Sequence, residues 1–192
     1  KNRTIEVGTK WELFKRRLLA NIALFRTEKT NARTEDPTNA ADIIVLEGKQ
    51  RVDGVEVGAA GNITDDLSLS GGYTYMDGKV ISSRNTSEVG RELSNTPRHS
   101  FSAWTTYQFP YNVLLGFGGQ YVDRRFNSTT TPRLAPSYWT ADAMAAYTIN
   151  KNYTLRLNMY NLLDKEYIDR VGGGHFIPGS GRTAVVTTEF KF

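Results

Sequence analysis

The sequence predicts an all-β chain that crosses a membrane as part of a transmembrane antiparallel β-barrel. Three observations predict it. Apolar and polar residues alternate along nine stretches, the connections between those stretches are alternately short and long, and charged residues avoid the apolar positions. Alternation with a period of two places one face of a strand against an apolar medium and the other against water or polar groups. A soluble sheet also shows this alternation. The lengths of the connections and the positions of the charges must therefore distinguish a soluble sheet from a membrane barrel.

Composition narrows the possible classes of protein. The chain has 192 residues, a hydrophobic content of 39% and a net charge of +4. No run approaches the roughly 18–20 apolar residues of a membrane helix, so a chain that crosses a membrane must do so as a closed barrel. Its 10 Tyr, 9 Phe and 3 Trp suffice for aromatic girdles. The absence of cysteine excludes disulfides and thiolate metal sites. The basic residues form no stripe, so we expect no nucleic-acid partner.

Nine strands are predicted along the chain, and they form a single unit, residues 1–192. They span residues 3–13, 18–28, 42–61, 67–75, 97–109, 113–121, 137–149, 153–159 and 181–192. In the last of them the positions that share a face with the final residue are uncharged; they are Ala184, Val186, Thr188, Phe190 and Phe192. One mismatch is Trp104, which falls among the polar positions of the fifth strand.

The connections favour a membrane barrel over a soluble sandwich. Short connections of roughly three to six residues alternate with long ones of roughly ten to twenty, which is the pattern of tight periplasmic turns and long outside loops. The long ones are predicted at residues 29–41, 78–96, 127–136 and 169–180. A soluble sandwich has no reason to keep its long loops at one end. We therefore expect extracellular long loops and a periplasmic C-terminus.

Charged residues supply the second argument for lipid. Nine charged residues of the predicted strands lie opposite the apolar set; they are Glu6, Lys10, Glu12, Glu56, Arg98, Asp142, Arg156, Glu189 and Lys191. An Arg or Lys on the lipid face at mid-bilayer costs about 2–4 kcal/mol. A solvated face would not exclude charge so strictly. Because bacterial single-chain barrels have an even number of strands, nine strands with both end strands running towards the short turns predict the C-terminal part of a larger barrel.

Several strings in order resemble one family. Asn161–Tyr167 (NLLDKEY) is followed by a glycine-rich loop, by Pro178–Arg182 (PGSGR) and by a strand that ends in Phe192. This order resembles the C-terminus of TonB-dependent outer-membrane receptors, over essentially all 192 residues. The PGSGR segment with the preceding GGGHF loop is most similar to ferric-siderophore receptors of the catecholate type.

The resemblance implies a fold, a location and partners. It implies a 22-stranded barrel in the bacterial outer membrane, plugged by an N-terminal domain that lies upstream together with the TonB box. The implied function is TonB-dependent uptake of a ferric siderophore, with iron present only in the bound siderophore and no cofactor of the protein's own. The implied partners are the siderophore, TonB, outer-membrane lipid with lipopolysaccharide, and the barrel-assembly machinery, whose signal Phe190 and Phe192 resemble.

Seven residues near the predicted outer rim are candidates for contact with the ligand. An iron–catecholate complex is anionic and aromatic, so guanidinium groups and aromatic faces suit it through charge and cation–π contact. The candidates are Arg124, Arg125, Tyr138, Tyr167, Arg170, His175 and Phe176. The alternative interpretation is that these residues form the girdle or contact lipopolysaccharide phosphates. The charges on the polar face likewise have two interpretations, a solvated lumen that touches the plug or a coupling path for plug movement.

No catalytic or metal site is expected. The two histidines, His99 and His175, have no His, Cys or carboxylate at ligand spacing, and a hydrolase would need a clustered acid, base and nucleophile. The PGSGR string lacks the Gly-Lys-Ser/Thr end of a phosphate loop. Two alternatives to a siderophore receptor stay open, a receptor for haem or vitamin B12 and a porin or structural barrel.

Overall fold

A computed structural model of the protein describes residues 1–35, 44–129, 131–172 and 175–192. Thirteen strands are present in this part of the chain. They are β1 (Asn2–Leu13), β2 (Leu18–Glu35), β3 (Ile44–Asn62), β4 (Leu67–Ser82), β5 (His99–Phe109), β6 (Val113–Val122), β7 (Arg125–Phe126), β8 (Leu134–Ala135), β9 (Tyr138–Asn150), β10 (Tyr153–Tyr160), β11 (Ile168–Gly172), β12 (His175–Pro178) and β13 (Thr183–Phe190). A 3-10 helix spans Thr86–Glu88. Among the described residues no helix is long and apolar enough to cross a membrane.

Nine strands form one antiparallel sheet, in the order β1-β2-β3-β4-β5-β6-β9-β10-β13, which confirms the nine predicted strands. The register aligns their apolar faces. Val7 pairs with Leu24, Leu24 with Val55, and Val55 with Tyr75. At the other end of the sheet, Leu157 pairs with Val186. One apolar face therefore runs across all nine strands, and towards the long connections of β2–β4 it gives way to charged residues such as Arg26 and Asp53.

Aromatic residues lie at two levels of the apolar face. Towards the long connections they are Tyr73, Phe101, Tyr121 and Trp139; towards the short turns they are Trp11, Tyr107, Phe109 and Tyr147. Neighbouring rings are in contact, with 4.6 Å between the ring centroids of Tyr121 and Trp139. Such paired levels are typical of the two membrane–water boundaries of a barrel. The predicted girdles are therefore present on the face where lipid was expected.

The short turns close the strands tightly. In the turn between β5 and β6, Tyr111 and Asn112 both have positive φ angles, 62° and 60°. Two such residues in sequence make the turn whose twist matches that of the flanking strands. Arg17 and Asp65 form an ion pair that joins the β1–β2 turn to the β3–β4 turn.

Two strands are longer than predicted. The expectation that polar loops begin at residues 29 and 78 was wrong, because β2 continues to Glu35 and β4 to Ser82. The backbone pairing persists there, with Lys29 opposite Gln50 and Lys79 opposite Arg51. The β2 extension is mostly polar, and in β4 the charged residues Asp77 and Lys79 replace apolar residues on the face of Tyr75, so the alternation of the wall ends there. Residues 36–43 lie outside the described residues.

Two predicted loops contain strands instead. β8 lies inside the predicted loop 127–136 and pairs with β7, which comes just before that loop. β11, except for its first residue, and β12 lie inside the predicted loop 169–180 and pair with each other. The last strand is shorter than predicted, since β13 ends at Phe190. Phe192 lies beyond it with its ring 5.3 Å from that of Phe190.

Buried side chains gather at the outer ends of the strands, where the long connections lie. They include Ala32, Thr34, Val80, Glu88, Arg125, Asn127, Ala135, Tyr138, Thr140, Asn161 and Val171. Between the two aromatic levels most side chains are exposed or half-buried on both faces. The sheet therefore forms a wall with little packing on either face. The packed part of the chain lies at the outer ends of the strands.

Candidate ligand-binding site at the outer ends of the strands

Asn161, directly after β10, anchors the last long connection. It is 4% exposed and has a left-handed backbone, with φ 50°. Its side-chain amide donates to the carbonyl oxygens of Lys165 and Ser180, each at 3.0 Å. Its Oδ1 accepts from the backbone N–H of Lys165 at 2.9 Å, and its own N–H donates to Asp142 Oδ1 at 2.7 Å. The Asn161 side chain thus joins the start and the end of the connection, and its backbone N–H ties them to Asp142 of β9.

Asp164 makes the second tie in this connection. Its Oδ1 accepts from the backbone N–H of Arg182 at 2.8 Å. The two side chains also form an ion pair, with 3.9 Å between Arg182 Nη2 and Asp164 Oδ2. The NLLDKEY and PGSGR strings therefore act together as a structural clasp at the base of the connection.

Three of the seven candidate residues form a packed cluster above this clasp. Arg125 is 7% exposed, and its Nη2 donates to the carbonyl oxygens of Ile168 at 2.7 Å and Asp169 at 3.1 Å. The Arg125 guanidinium lies 5.8 Å from the centre of the Tyr138 ring. The Tyr138 ring lies 4.4 Å from that of Tyr167. Burial raises the pKa of the Tyr167 phenol, so the group is neutral at physiological pH.

The cluster depends on a glycine. Tyr167 lies so close to Gly179 that a Cβ on the glycine would be 2.0 Å from the tyrosine ring carbon Cζ. The backbone N–H of Gly179 donates to the Tyr167 carbonyl at 2.9 Å. Any side chain at position 179 would displace the ring, so this part of the PGSGR string serves packing.

The other four candidates are more accessible. Arg124 is exposed and lies with its Nη2 3.8 Å from Glu92 Oε1. Arg170 and His175 are exposed, and Phe176 is half-buried; all three belong to the β11–β12 hairpin. The Arg170 Nε is 3.2 Å from Asp169 Oδ2.

Sequence reasoning missed two features of this site. Glu92 links two arginines. Its Oε1 lies 3.8 Å from Arg124 Nη2 and 2.7 Å from Arg98 Nη2. Arg98 was predicted only as a charge on the wall. The pairing brings two exposed guanidinium groups together from different connections, which no local pattern reveals.

The second missed feature is the buried carboxylate of Glu88. It accepts from Ser83 Oγ at 2.6 Å and from Thr129 Oγ1 at 3.0 Å, and the Ser83 hydroxyl is also hydrogen-bonded to Thr34. The carboxylate therefore ties three outer segments together. Asn85 caps the short helix, so the Asn-x-x-Glu spacing of a capping box was the available signal.

The polar face carries cavities below the cluster. One of about 400 Å³ is lined by Gln120, Asp142, Tyr160, Tyr167 and Ser180. It meets a second of about 560 Å³ at Gln120 and Asp142. Trp104 lines the second cavity and packs over Gly116 and Gly118, where a Cβ would be 2.7 Å from Trp104 Cζ2 and 2.5 Å from Trp104 Cε3. Trp104, which interrupts the predicted alternation, therefore lies on the polar face.

In the described part of the chain no group of three or more His, Cys, Asp or Glu could hold a metal ion.

The model of the β-barrel of TonB-dependent-receptor-like proteins matches residues 1–162. The chain belongs to this receptor family. Membership assigns the sheet to the wall of a transmembrane barrel, with the apolar face towards lipid and the polar face towards the lumen. The outer ends described above are therefore the ends of barrel strands.

Two relatives match this TonB-dependent receptor chain over its full length. It is 38% identical over 203 residues to the probable TonB-dependent receptor BfrD of Bordetella pertussis, covering 100% of this chain and 27% of the relative. It is 35% identical over 199 residues to the catecholate siderophore receptor Fiu of Escherichia coli K12, covering 100% and 26%. The chain thus spans about a quarter of the length of these receptors.

Solved structures agree with the fold of this TonB-dependent receptor chain. The siderophore receptor PiuA from Acinetobacter baumannii superposes with a TM-score of 0.90 at 35% identity, covering 100% of this chain and 28% of that one. The closed form of the ferric-catecholate import receptor Fiu from Escherichia coli K12 gives a TM-score of 0.86 at 33% identity, covering 100% and 27%.

Proposed function

We propose that the protein is an outer-membrane receptor for TonB-dependent uptake of a ferric siderophore of the catecholate type. The relatives at 35% identity or above include receptors named for such ligands. This chain supplies nine strands of the barrel wall and the outer connections that meet the ligand. Its family consists of receptors, so its chemistry is binding and release. Iron enters only within the bound siderophore.

The pair of guanidinium groups on Glu92 carries the proposal. Arg98 and Arg124 are both exposed and share a single carboxylate, so the group retains net positive charge. Arg170 and His175 add polar groups from the β11–β12 hairpin. An anionic catecholate complex is attracted by such charge, and Arg also binds aromatic faces. Arg125 holds the start of this hairpin through the Ile168 and Asp169 carbonyls, and the Tyr138 ring packs between Arg125 and Tyr167.

The topology and the remaining partners belong to the same proposal. The long connections face the exterior and the short turns, with the C-terminus, face the periplasm. TonB acts through a plug and TonB box elsewhere in the protein. Lipid and lipopolysaccharide surround the wall, and Phe190 with Phe192 present the assembly signal to the barrel-assembly machinery.

Binding measurements on the complete receptor test the ligand class. We expect the double variant Arg98→Gln with Arg124→Gln to bind a ferric dihydroxybenzoate complex about tenfold more weakly, because two charge-assisted contacts are lost. The control is Lys15→Gln with Arg16→Gln in the β1–β2 turn, at the opposite end of the wall. Unchanged affinity in the first variant contradicts the site.

Competition tests the alternatives. Haem and vitamin B12 are offered to the same receptor in fluorescence-quenching titrations. Tight binding of either, together with no binding of any catecholate, overturns the siderophore proposal. Free diffusion of small solutes through the complete protein in liposomes overturns the receptor proposal in favour of a porin.

A further inference from the structure

The short 3-10 helix Thr86–Glu88 lies in the connection between β4 and β5. The spacing of Asn85 and Glu88 is that of a capping box, in which the Glu carboxylate returns to the backbone N–H of the capping residue. In this helix the Asn85 N–H donates to Ser83 Oγ instead, at 3.2 Å. The Glu88 carboxylate therefore serves contacts outside the helix.

The Glu88 carboxylate joins the β4–β5 connection to the connection between β6 and β9. Its Oε1 accepts from Thr129 Oγ1 at 3.0 Å, and its Oε2 accepts from Ser83 Oγ at 2.6 Å. Thr129 lies between β7 and β8, within the β6–β9 connection. An ionised carboxylate only accepts hydrogen bonds, so both hydroxyl groups give it their protons. Glu88 is 7% exposed, so this contact is buried.

A third segment reaches the carboxylate through Ser83. Because the Ser83 hydroxyl donates its proton to Glu88, its oxygen accepts the proton of the Thr34 hydroxyl. Thr34 lies near the end of β2, after Asn31, whose φ is 56° and where the register between β2 and β3 shifts. Such a bulge re-aims the side chains that follow it. The end of β2 is therefore tied to the same carboxylate as the two connections.

The arginines of the proposed ligand site lie on the two connections that Glu88 joins. Arg98 ends the β4–β5 connection, and Arg124 begins the β6–β9 connection. Glu92 contacts both, at 2.7 Å from Arg98 Nη2 and 3.8 Å from Arg124 Nη2. The longer contact is the one that crosses between the connections. The gap between the two guanidinium groups therefore depends on how the connections are held together.

Two further hydrogen bonds join the same connections. Arg91 Nη1 donates to the Thr129 carbonyl at 2.7 Å, and the Asn95 N–H donates to the Phe126 carbonyl at 2.8 Å. Both remain when the Glu88 carboxylate is removed. Loss of Glu88 should therefore loosen the gap without separating the connections.

We propose that Glu88 is a positioning residue for the ligand, because its buried carboxylate sets the gap between the Arg98 and Arg124 guanidinium groups. The inference rests on the proposed function, in which these two arginines bind the anionic complex. Groups that bind a ligand must be held within about 0.5 Å of their working geometry by the packing and hydrogen bonds around them. Glu88 does so from a distance, since both of its carboxylate oxygens are bonded to hydroxyl groups of the protein.

Pulsed electron paramagnetic resonance on the complete receptor tests the tie. Nitroxide labels are attached at Ser94→Cys and Leu134→Cys, two exposed positions, one on each connection. Glu88→Ala should broaden the distribution of distances between the labels. Glu88→Gln keeps the side-chain volume and an acceptor oxygen, so it should restore most of the narrow distribution. The control, Glu47→Ala, removes an exposed carboxylate at the same end of the wall and should change nothing. Identical distributions in Glu88→Ala and the control overturn the tie.

Titration of the complete receptor with a ferric dihydroxybenzoate complex tests the positioning role. Glu88→Ala should weaken binding several-fold, and Glu47→Ala should leave it unchanged. A double-mutant cycle of Glu88→Ala with Arg124→Gln separates positioning from general loosening. Without Glu88 the Arg124 guanidinium is already displaced, so the combined loss should be smaller than the product of the two single losses. A combined loss equal to that product shows that Glu88 does not act through Arg124, and it overturns the positioning role.

The inference and the proposed function fail in different ways. A wild-type receptor that binds no catecholate overturns the proposed function, and the positioning role falls with it. Wild-type binding together with an unchanged affinity in Glu88→Ala overturns the positioning role alone. If Glu88→Ala does not assemble, Thr129→Val removes one donor to the carboxylate and keeps the side-chain shape. Unchanged label distances and unchanged affinity in Thr129→Val then overturn the inference.

Discussion

The nine-stranded wall and the connections at its outer end differ in where their contacts lie. In the wall, Leu157 and Val186 pair across adjacent strands and are 40% and 66% exposed. At the outer end, Asn161 and Arg125 are almost fully buried and hydrogen-bonded to the backbone. The wall therefore relies on backbone pairing and on whatever touches its two faces. The connections carry packing of their own, so the two regions should respond differently to substitution.

The largest effect is expected from charge on the lipid face of the wall. Leu157→Arg or Val186→Arg should destabilise the folded barrel by about 2–4 kcal/mol, because the guanidinium would stand in lipid. Asn158→Arg and Thr187→Arg, one residue along the same strands, point into the lumen and should have little effect. Urea unfolding in lipid vesicles measures the difference. Equal losses in both sets would refute the assignment of the faces.

The second-largest effect is expected from removing the Asn161 side chain, which anchors the last long connection. Asn161→Ala leaves the Lys165 and Ser180 carbonyls and the Lys165 N–H without their partner, at a cost of about 1–3 kcal/mol for an unsatisfied buried group. The barrel wall should stay folded while residues 161–182 become accessible to protease. Asn152→Ala in an exposed short turn, where the amide donates to Lys191 O, is the control. Protection of the connection in the first variant would show that the clasp is dispensable.

A smaller, local effect is expected from Arg125→Leu. The carbonyls of Ile168 and Asp169 lose their donor, and hydrogen bonds to charged groups contribute about 1.5–3 kcal/mol before relaxation and water replace part of it. Faster hydrogen exchange in β11–β12 than in β9 would report the loss. Arg124→Leu keeps the buried cluster and should leave the exchange of that hairpin unchanged. Identical exchange in the two variants would contradict the anchoring role of Arg125.

The smallest effect should come from the ion pair between the short turns. Arg17 and Asp65 have side chains that are 45% and 81% exposed, and exposed pairs contribute about 0–1 kcal/mol. A double-mutant cycle of Arg17→Gln and Asp65→Asn in urea unfolding should give a coupling energy in that range. A coupling several times larger would show that the turns share the packed character of the outer end.

Local alternation was enough to locate the wall. Strand existence, the two faces and the short turns could be predicted because the lipid face of a strand excludes charge over its whole length in the bilayer. Above the membrane this constraint ends. The β2 extension is mostly polar, and β4 carries Asp77 and Lys79 on the face of Tyr75, so their pairing could not be predicted from the alternation seen in the wall.

The positions of the candidate residues could be predicted in part. The seven candidate residues lie in or beside the long connections, and their contact with a ligand stays a prediction. Their division into a buried cluster of Arg125, Tyr138 and Tyr167 and an accessible group depends on how three connections pack. Glu92 and Glu88 were not predicted at all, since their partners lie on segments far away in the sequence.

The sequence by itself determined the nine strands, the orientation of their faces and the family, because each of these follows from residue order along one strand or one connection. Only the tertiary structure decided which outer residues are buried, which arginines share a carboxylate, and where charge resumes on the lipid-facing side. Those outcomes depend on register across neighbouring strands. Asp53, for example, meets Arg26 only because β2 and β3 pair with that particular alignment.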